Sequence, residues 1–449
     1  DGHAVPRPSR LVPALSRLHH IHQIAPKRIC SKLLRERGPP KEMTDTWTWS
    51  EINKRISEEP DRVNGATSSQ AKLRLFGNPE SSVEVTFYRD IHAWCPYCSK
   101  IWLWLETKKI PYRVKKVTMR CYGNKEQWFL KKVPSGMLPA LELNGKLITE
   151  SDEILICLEE KFGTLGQSML SKDAVFLRRL ERLLFQAWCI WLCTPNLNSH
   201  QQLQARNQFH EIACRFEDAL NETPEPFLRA SSPQTVDLIF IPYIERMNAS
   251  LAYYKGYRLR KEHPLIDRWL SALEKLETYR GIQGDFHTHA HDLPPQMGGC
   301  WSDNNSEAKA IAARIDIGDG LETEETSFSD DSETYLSEMR TIALTRVYKH
   351  RQSIMDANPL GATKIDQPLR AALTSLIKGE ACLPEPDSAE GLRYIRDRIS
   401  VPRDMPILAA RELRKALERT ASLDSEKQGV KIPIRNRYDQ DPASFSRPT

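Results

Sequence analysis

Val83-Glu84-Val85-Thr86-Phe87-Tyr88, followed closely by Trp94-Cys95-Pro96-Tyr97-Cys98, is the stretch on which the reading of this chain turns. Its first six residues alternate apolar and polar side chains, the period of a half-buried strand. From Pro96 onward Ile101, Trp102, Leu105 and Ile110 recur at helical spacing, which predicts a helix over 96–109 with the cysteine pair at its start. A thiol in that position meets unpaired backbone N–H groups and the positive end of the helix dipole, and both favour the thiolate. Cys95 occupies that place. Cys98 lies one turn deeper, shielded, and is better suited to resolve a mixed disulfide than to start one. Pro96 in the first turn costs no hydrogen bond.

Working outward, 114–117 reads as a second strand and 126–132 as a short helix. Residues 139–143 and 146–148 form a hairpin around Asn144-Gly145, and a helix follows over 151–162. Strand, helix, strand, helix, hairpin, helix is the order of the thioredoxin fold. Beyond Gly163 the pattern changes to long helices, roughly 172–197, 203–221, 235–254 and 264–279. The fold class is thus an α/β thioredoxin-fold N-terminal domain plus an all-α C-terminal domain, with an extra helical module at the C-terminal end.

Seven segments follow. Residues 1–45 are basic, broken by prolines such as Pro6, Pro13 and Pro26, and read as a disordered tail or a transit-like segment. Residues 46–82 are an N-terminal extension, with a short helix around Trp47, Trp49 and Ile52 capped by Asp45 or Thr46. The thioredoxin-like domain spans 83–165 and the helical domain 170–300. Residues 301–335 are an acidic linker, because Asp319, Glu322, Glu324, Glu325, Asp330 and Asp331 leave little to bury. A helical module over 336–428 and a polar tail over 429–449 complete the chain.

Composition narrows the function. Forty per cent hydrophobic and 27% charged residues are ordinary, and no run of about 18 apolar residues predicts a membrane span. A net charge of +5, without a dense Lys/Arg stripe or zinc-finger spacing, argues against nucleic acid. Ten dispersed cysteines do not form a secreted disulfide framework, so most are expected as reduced thiols.

The alternatives for Cys95 and Cys98 are two core cysteines or a zinc half-site, and the latter would need a second ligand pair nearby, of which none stands at suitable spacing. A second element is Ser135-Gly136-Met137-Leu138-Pro139-Ala140-Leu141. A proline before this strand of the fold is typically cis, and Leu138 then offers its N–H and C=O to the backbone of a peptide ligand. An ordinary strand start is the bland alternative. Third, Glu150-Ser151 falls where a strand ends and a helix begins, a place for a carboxylate, with Glu150 available to an amine; a plain helix cap is the alternative. His287, His289 and His291, with Cys300 beyond, would share a face on an extended segment and suggest a metal site. A polar loop closing the helical domain is the preferred reading, and no metal is assigned. Trp102, Trp104, Trp188 and Trp191 read as core or pocket wall.

These features, in this order, resemble the N-terminal domain of cytosolic-type glutathione transferases, with the cysteine-type classes fitting best. The run 124–139, Asn-Lys-Glu-Gln-Trp-Phe-Leu-Lys-Lys-Val-Pro-Ser-Gly-Met-Leu-Pro, is similar to the matching run of the omega class. That resemblance implies that Lys125 reaches the glycyl end of glutathione. Glu59-Pro60-Asp61-Arg62-Val63-Asn64-Gly65, the Trp94–Cys98 site and the large C-terminal extension together resemble the iota class of photosynthetic organisms, which implies a chloroplast setting, otherwise a cytoplasmic one. Residues 235–240 look like the helix of the transferase domain that starts with a capping box, departing from it at Gln234, where that box has Ser or Thr.

The resemblance implies a glutathione-dependent thiol transferase, with Cys95 and Cys98 catalytic and Lys125, Leu138, Pro139, Glu150 and Ser151 binding glutathione. A small or protein mixed disulfide is the expected substrate, and a homodimer the expected assembly unless the extra segments replace that contact. Three rivals stand beside it. One is a plastid binding or assembly protein that docks a partner through 336–428. Another is a conjugating transferase that uses the hydroxyl of Tyr88 or Tyr97. The third is an iron–sulfur cluster held by Cys95 and glutathione between two subunits.

Overall fold

The computed structural model describes residues 45–321 and 333–427. The basic segment before residue 45, the most acidic part of the expected linker and the tail from 429 lie outside the described residues.

A five-stranded sheet has the order β1-β3-β2-β4-β5, from β1 (Leu73–Arg74), β2 (Val85–Asp90), β3 (Tyr112–Val117), β4 (Ala140–Leu143) and β5 (Lys146–Thr149). β2 pairs in parallel with β3, with Phe87 opposite Val114, and antiparallel with β4, with Phe87 opposite Leu141. Phe87 and Leu141 are fully buried, as the alternation in β2 requires. β1 is an edge strand that the sequence reading did not contain. It is held by Arg74, whose guanidinium donates to Glu106 at 2.8 and 2.9 Å, while Tyr112 donates to the same carboxylate at 2.6 Å. These charges are buried but mutually satisfied, and they tie the N-terminal extension to the sheet.

Chain order then sets the helices. After α1 (Trp49–Asn53) come α2 (Pro96–Thr107), α3 (Gln127–Lys132) and α4 (Ser151–Phe162). The helical domain contributes α5 (Lys172–Cys193), α6 (Ser199–Leu220), α7 (Thr235–Lys255), α8 (Leu259–Glu262), α9 (Pro264–Leu273), α10 (Glu277–Arg280) and α11 (Phe286–Met297). α5 stops at Cys193 rather than near 197, because Thr194 precedes Pro195 and is driven extended, with ψ 121°. The expected helix over 264–279 breaks at an extended Leu276. At α7 the carboxylate of Asp237 accepts from the backbone N–H of Gln234 at 2.9 Å, so half of the capping box persists without Ser or Thr.

Two further expectations are corrected. Within 301–335, α12 (Ser306–Asp316) is a helix, capped by Asn305, whose side chain accepts from Ala308 N at 2.8 Å. Its Ile311 and Ile315 share a face and pack with Ala249, Ala252 and Phe286. Apolar spacing, rather than local acidity, decides this stretch. The histidine segment is the helix α11 and not an extended loop, because Asp285 caps it by accepting from Thr288 N at 2.8 Å.

The C-terminal module has α13 (Glu333–Asp356), α14 (Ala362–Lys378), α15 (Ala389–Arg398) and α16 (Ile407–Asp424) around its own core of Leu344, Leu369, Leu373, Leu392, Leu413 and Leu417. Ile52 of α1 belongs to that core, not to the thioredoxin-like sheet. Trp49 donates from Nε1 to Asp366 at 2.7 Å, and Trp47 N donates to Thr374 Oγ1 at 3.1 Å. Segments more than 300 positions apart in sequence thus build one module. The cap of α1 is Thr48, in a capping box with Glu51, in place of Asp45 or Thr46.

Candidate functional site

Cys95 is the N-cap residue of α2, with Pro96 in the first turn. The α2 apolar face, including Trp102 and Trp104, is fully packed, and Trp188 and Trp191 are also core. This fixes the helix and therefore the direction in which its N-terminal amides point. The Cys95 sulfur lies 3.9 Å from the carbonyl oxygen of Leu138, and the Leu138–Pro139 bond is cis. Cys95 retains 6% of its surface and Cys98 1%, so Cys95 is the more open of a pair that sits deeper than an open groove would place it.

α7 supplies much of the cover. Arg246, itself buried, donates to the carbonyl of Trp94 and to that of Pro242, and its ring-stacking partner is Trp94, with the guanidinium carbon 4.2 Å from the ring centre. The Cys95 sulfur is within electrostatic reach of that cation. Tyr243 sits edge-on to Tyr97 at 5.9 Å. From the other side His289 packs on Trp94, ring centres 4.7 Å apart.

Behind the pair stands Asp90, the last residue of β2. Its Oδ2 accepts from Trp94 N at 2.6 Å, while Oδ1 is buried without a hydrogen-bond partner among the described residues. One carboxylate oxygen of Asp90 and the sulfurs of Cys95 and Cys98 all lie within 4.8 Å of one another. Burial pushes the Cys98 thiol well up, and its hydrogen bond to Cys95 and the nearby Asp90 add to this. Cys98 therefore holds its proton and needs a base to become a nucleophile.

Lys125 is half-buried, with Nζ donating to the Thr118 carbonyl at 2.9 Å. Burial lowers its pKa, and the surrounding acidic groups, Cys98, Cys95, Glu126 and Asp90, oppose that shift. Glu150 opens α4 at φ 63°, in the left-handed region that a non-glycine residue rarely adopts, and Ser151 behind it is buried. Next along the helix, Asp152 takes Lys100 at 2.8 Å and Arg178 at 2.5 Å; burial pushes its carboxyl up, but these two cations outweigh it and hold it at about 2. Tyr88 donates its hydroxyl to Glu142 at 2.6 Å, and burial followed by that carboxylate raises its pKa, so the phenol is already engaged.

A cavity of about 400 Å³ lies beside Ile91 and His92, in the loop leading to Cys95. Its far wall belongs to the C-terminal module and includes Arg346, His350, Tyr394 and Arg398.

The His287 and His291 rings of α11 pack together, centres 4.6 Å apart, while His289 turns to Trp94, so the three do not converge on one point. His287 faces Asp397 at 3.9 Å, His289 faces Glu245 at 3.6 Å and His291 pairs with Asp316 at 2.9 Å, so each has its own carboxylate. A different trio, His210, Cys214 and His263, brings its ligand atoms within 4.8 Å of one another, but these groups already form a chain through the Tyr257 hydroxyl, 3.0 Å from His210 and 2.8 Å from His263.

Residues 94–161 match the family model for the glutathione S-transferase N-terminal domain. That segment is a glutathione S-transferase N-terminal domain, and the chain is similar to glutathione S-transferases. Among curated relatives, glutathione S-transferase DHAR2 of Arabidopsis thaliana is 25% identical over 194 residues, 43% of this chain and 86% of the relative. Glutathione S-transferase L3 of the same plant is 25% identical over 220 residues, covering 48% and 89%. A dehydroascorbate reductase from Chlamydomonas reinhardtii overlays on 45% of this chain and 93% of its own, at 20% identity and TM-score 0.38. No helix among the described residues is long and apolar enough to cross a membrane.

Asp90, Arg246 and Asp152 were missed by the sequence reading, and His289 was noted only as a metal-site candidate, not as a neighbour of Trp94. Asp90 and Asp152 adjoin recognised motifs, at a strand end and a helix start. Arg246 and His289 carry no local signal, since only the packing of α7 and α11 brings them to Trp94.

Proposed function

We propose that this protein is a glutathione-dependent thiol transferase whose nucleophile is Cys95. The observation that carries the reading is the sulfur at the N-terminus of α2, 3.9 Å from the Leu138 carbonyl, with Glu150-Ser151 at the start of a second helix on the same sheet. Glutathione binds through the Leu138 backbone before Pro139, through Ser151 and Glu150 at its γ-glutamyl end, and through Lys125 at its glycyl end. The Cys95 thiolate attacks the glutathionyl sulfur of a mixed disulfide, and the substrate leaves as its thiolate. Either a second glutathione or Cys98 then releases the glutathionyl group. In the second route Asp90 takes the Cys98 proton through its unpartnered Oδ1.

The identity of the relatives as glutathione transferases supports an enzyme, with glutathione as its co-substrate. A sulfur nucleophile favours reduction over conjugation, because conjugating members use a hydroxyl to hold the thiolate of glutathione itself. Engagement of Tyr88 by Glu142 weakens the conjugating alternative. A chloroplast setting, a homodimer and a partner bound through 336–428 belong to the same proposal.

The test compares wild type with Cys95→Ser, Cys98→Ser and Asp90→Asn on a small glutathione mixed disulfide. Cys95→Ser loses turnover. Cys98→Ser keeps the route through a second glutathione, and Asp90→Asn slows formation of the Cys95–Cys98 disulfide while leaving Cys95 glutathionylation intact. Wild-type protein without activity on any mixed disulfide, together with loss of a protein partner on truncation at 335, favours the scaffold reading instead.

A further inference from the structure

A second thiol pair lies away from this site. Cys193 is the last residue of α5, and Cys300 follows Gly298-Gly299 beyond α11. The backbone N–H of Trp301 donates to the carbonyl of Leu192 at 2.9 Å, which sets the two cysteines side by side across the segments. Their sulfurs are hydrogen-bonded to each other. Both are half-buried rather than sealed in the core. The Lys255 side chain, fully buried and paired with Asp303 at 2.7 Å, brings a fixed positive charge to the pair. Gly298 and Gly299 have φ +83° and +144°, so the backbone before Cys300 has a freedom that side-chain-bearing residues lack.

We propose that Cys193 and Cys300 are a second redox-active dithiol, which glutathione disulfide converts to an intramolecular disulfide. The Cys193 thiolate attacks one sulfur of glutathione disulfide, forming a Cys193–glutathione bond and releasing one glutathione thiolate, which takes a proton. Cys300 then gives up its proton, its sulfur attacks that of Cys193, and the second glutathione leaves. Two protein thiols are oxidised and one glutathione disulfide becomes two glutathione molecules. Cys193 attacks first because the Cys300 S–H donates to it, which lowers the Cys193 pKa, as Lys255 does more weakly; the same bond raises that of Cys300. Cys189, one turn earlier on α5, is held on the rigid helix, with its thiol pushed up to about 12 by burial, and is the weaker partner.

The inference does not depend on Cys95, and its test removes that site. The full chain carrying Cys95→Ser and Cys98→Ser is treated with glutathione disulfide, remaining thiols are alkylated, and cross-linked peptides are mapped by mass spectrometry. A peptide pair joined through Cys193 and Cys300 is expected, with a trapped glutathionyl adduct on Cys193 when Cys300→Ser is added. The same map on the unsubstituted chain serves if the double variant does not fold. Full alkylation of both residues, a Cys189–Cys193 bond, or an adduct on Cys300 in place of Cys193 overturns the proposal.

Discussion

The guanidinium of Arg414 on α16 pairs with the carboxylate of Asp285 at the start of α11, and both side chains are almost wholly buried. This pair joins the C-terminal module to the helix that carries His289 against Trp94, the residue before Cys95. The module is thereby connected to the surroundings of the reactive sulfur by packed side chains.

Breaking that pair is costly because it strands a charge. Arg414→Met should lower stability by about 3–5 kcal/mol, and adding Asp285→Leu should recover part of the loss. Urea unfolding of both variants measures it; equal stability of Arg414→Met and wild type contradicts the role given to the pair.

The N-terminal helix α1 is structural to the module. Ile52→Ala empties a fully buried position, with an expected cost of about 2–5 kcal/mol. Limited proteolysis should then cut within 336–428 before it cuts the thioredoxin-like domain. Unchanged protection of that region speaks against a shared core.

How far the sequence was legible depended on the range of the forces involved. The thioredoxin-like elements around Cys95, the hairpin at Asn144-Gly145 and the helical character of 336–428 declare themselves through local periodicity and turn chemistry. What stayed hidden was long-range. Nothing near Ile52 says that it packs on Leu369 and its neighbours, and nothing near Arg246 says that it lies under Trp94. Residues 306–316 were drawn into the linker by the acids beyond them, yet their own acids are balanced by Lys309 and Arg314, and Ile311 and Ile315 give them an apolar face.

A pH dependence follows from His287. Burial, then Arg414 and His291, lower its pKa from 6.5 to about 3, so the folded protein binds that proton less tightly than the unfolded chain. Its contribution to stability is whole above about pH 6.5 and falls as pH drops toward 3, by about 1.4 kcal/mol per pH unit at most. His287→Asn should flatten this acid arm in thermal unfolding measured from pH 7 to 4. Parallel curves for the two proteins contradict the assignment.

Lys125 is expected to hold the glycyl carboxylate of glutathione. A lost charge-assisted hydrogen bond is worth about 1.5–3 kcal/mol, so Lys125→Ala should raise the KM for glutathione roughly tenfold or more. Steady-state kinetics at several glutathione concentrations measure this, and an unchanged KM removes Lys125 from the binding site.

The central claim concerns one sulfur, and the most direct measurement is a peptide mass map of the full chain after brief exposure to a small excess of glutathione disulfide, quenched in acid. The account predicts that Cys95 is the first cysteine of the 94–161 region to carry a glutathionyl group, that Cys98→Ser makes this adduct persist, and that Cys95→Ser leaves Cys98 unmodified. An adduct forming first on Cys98, or an inert Cys95 in a folded protein, contradicts it.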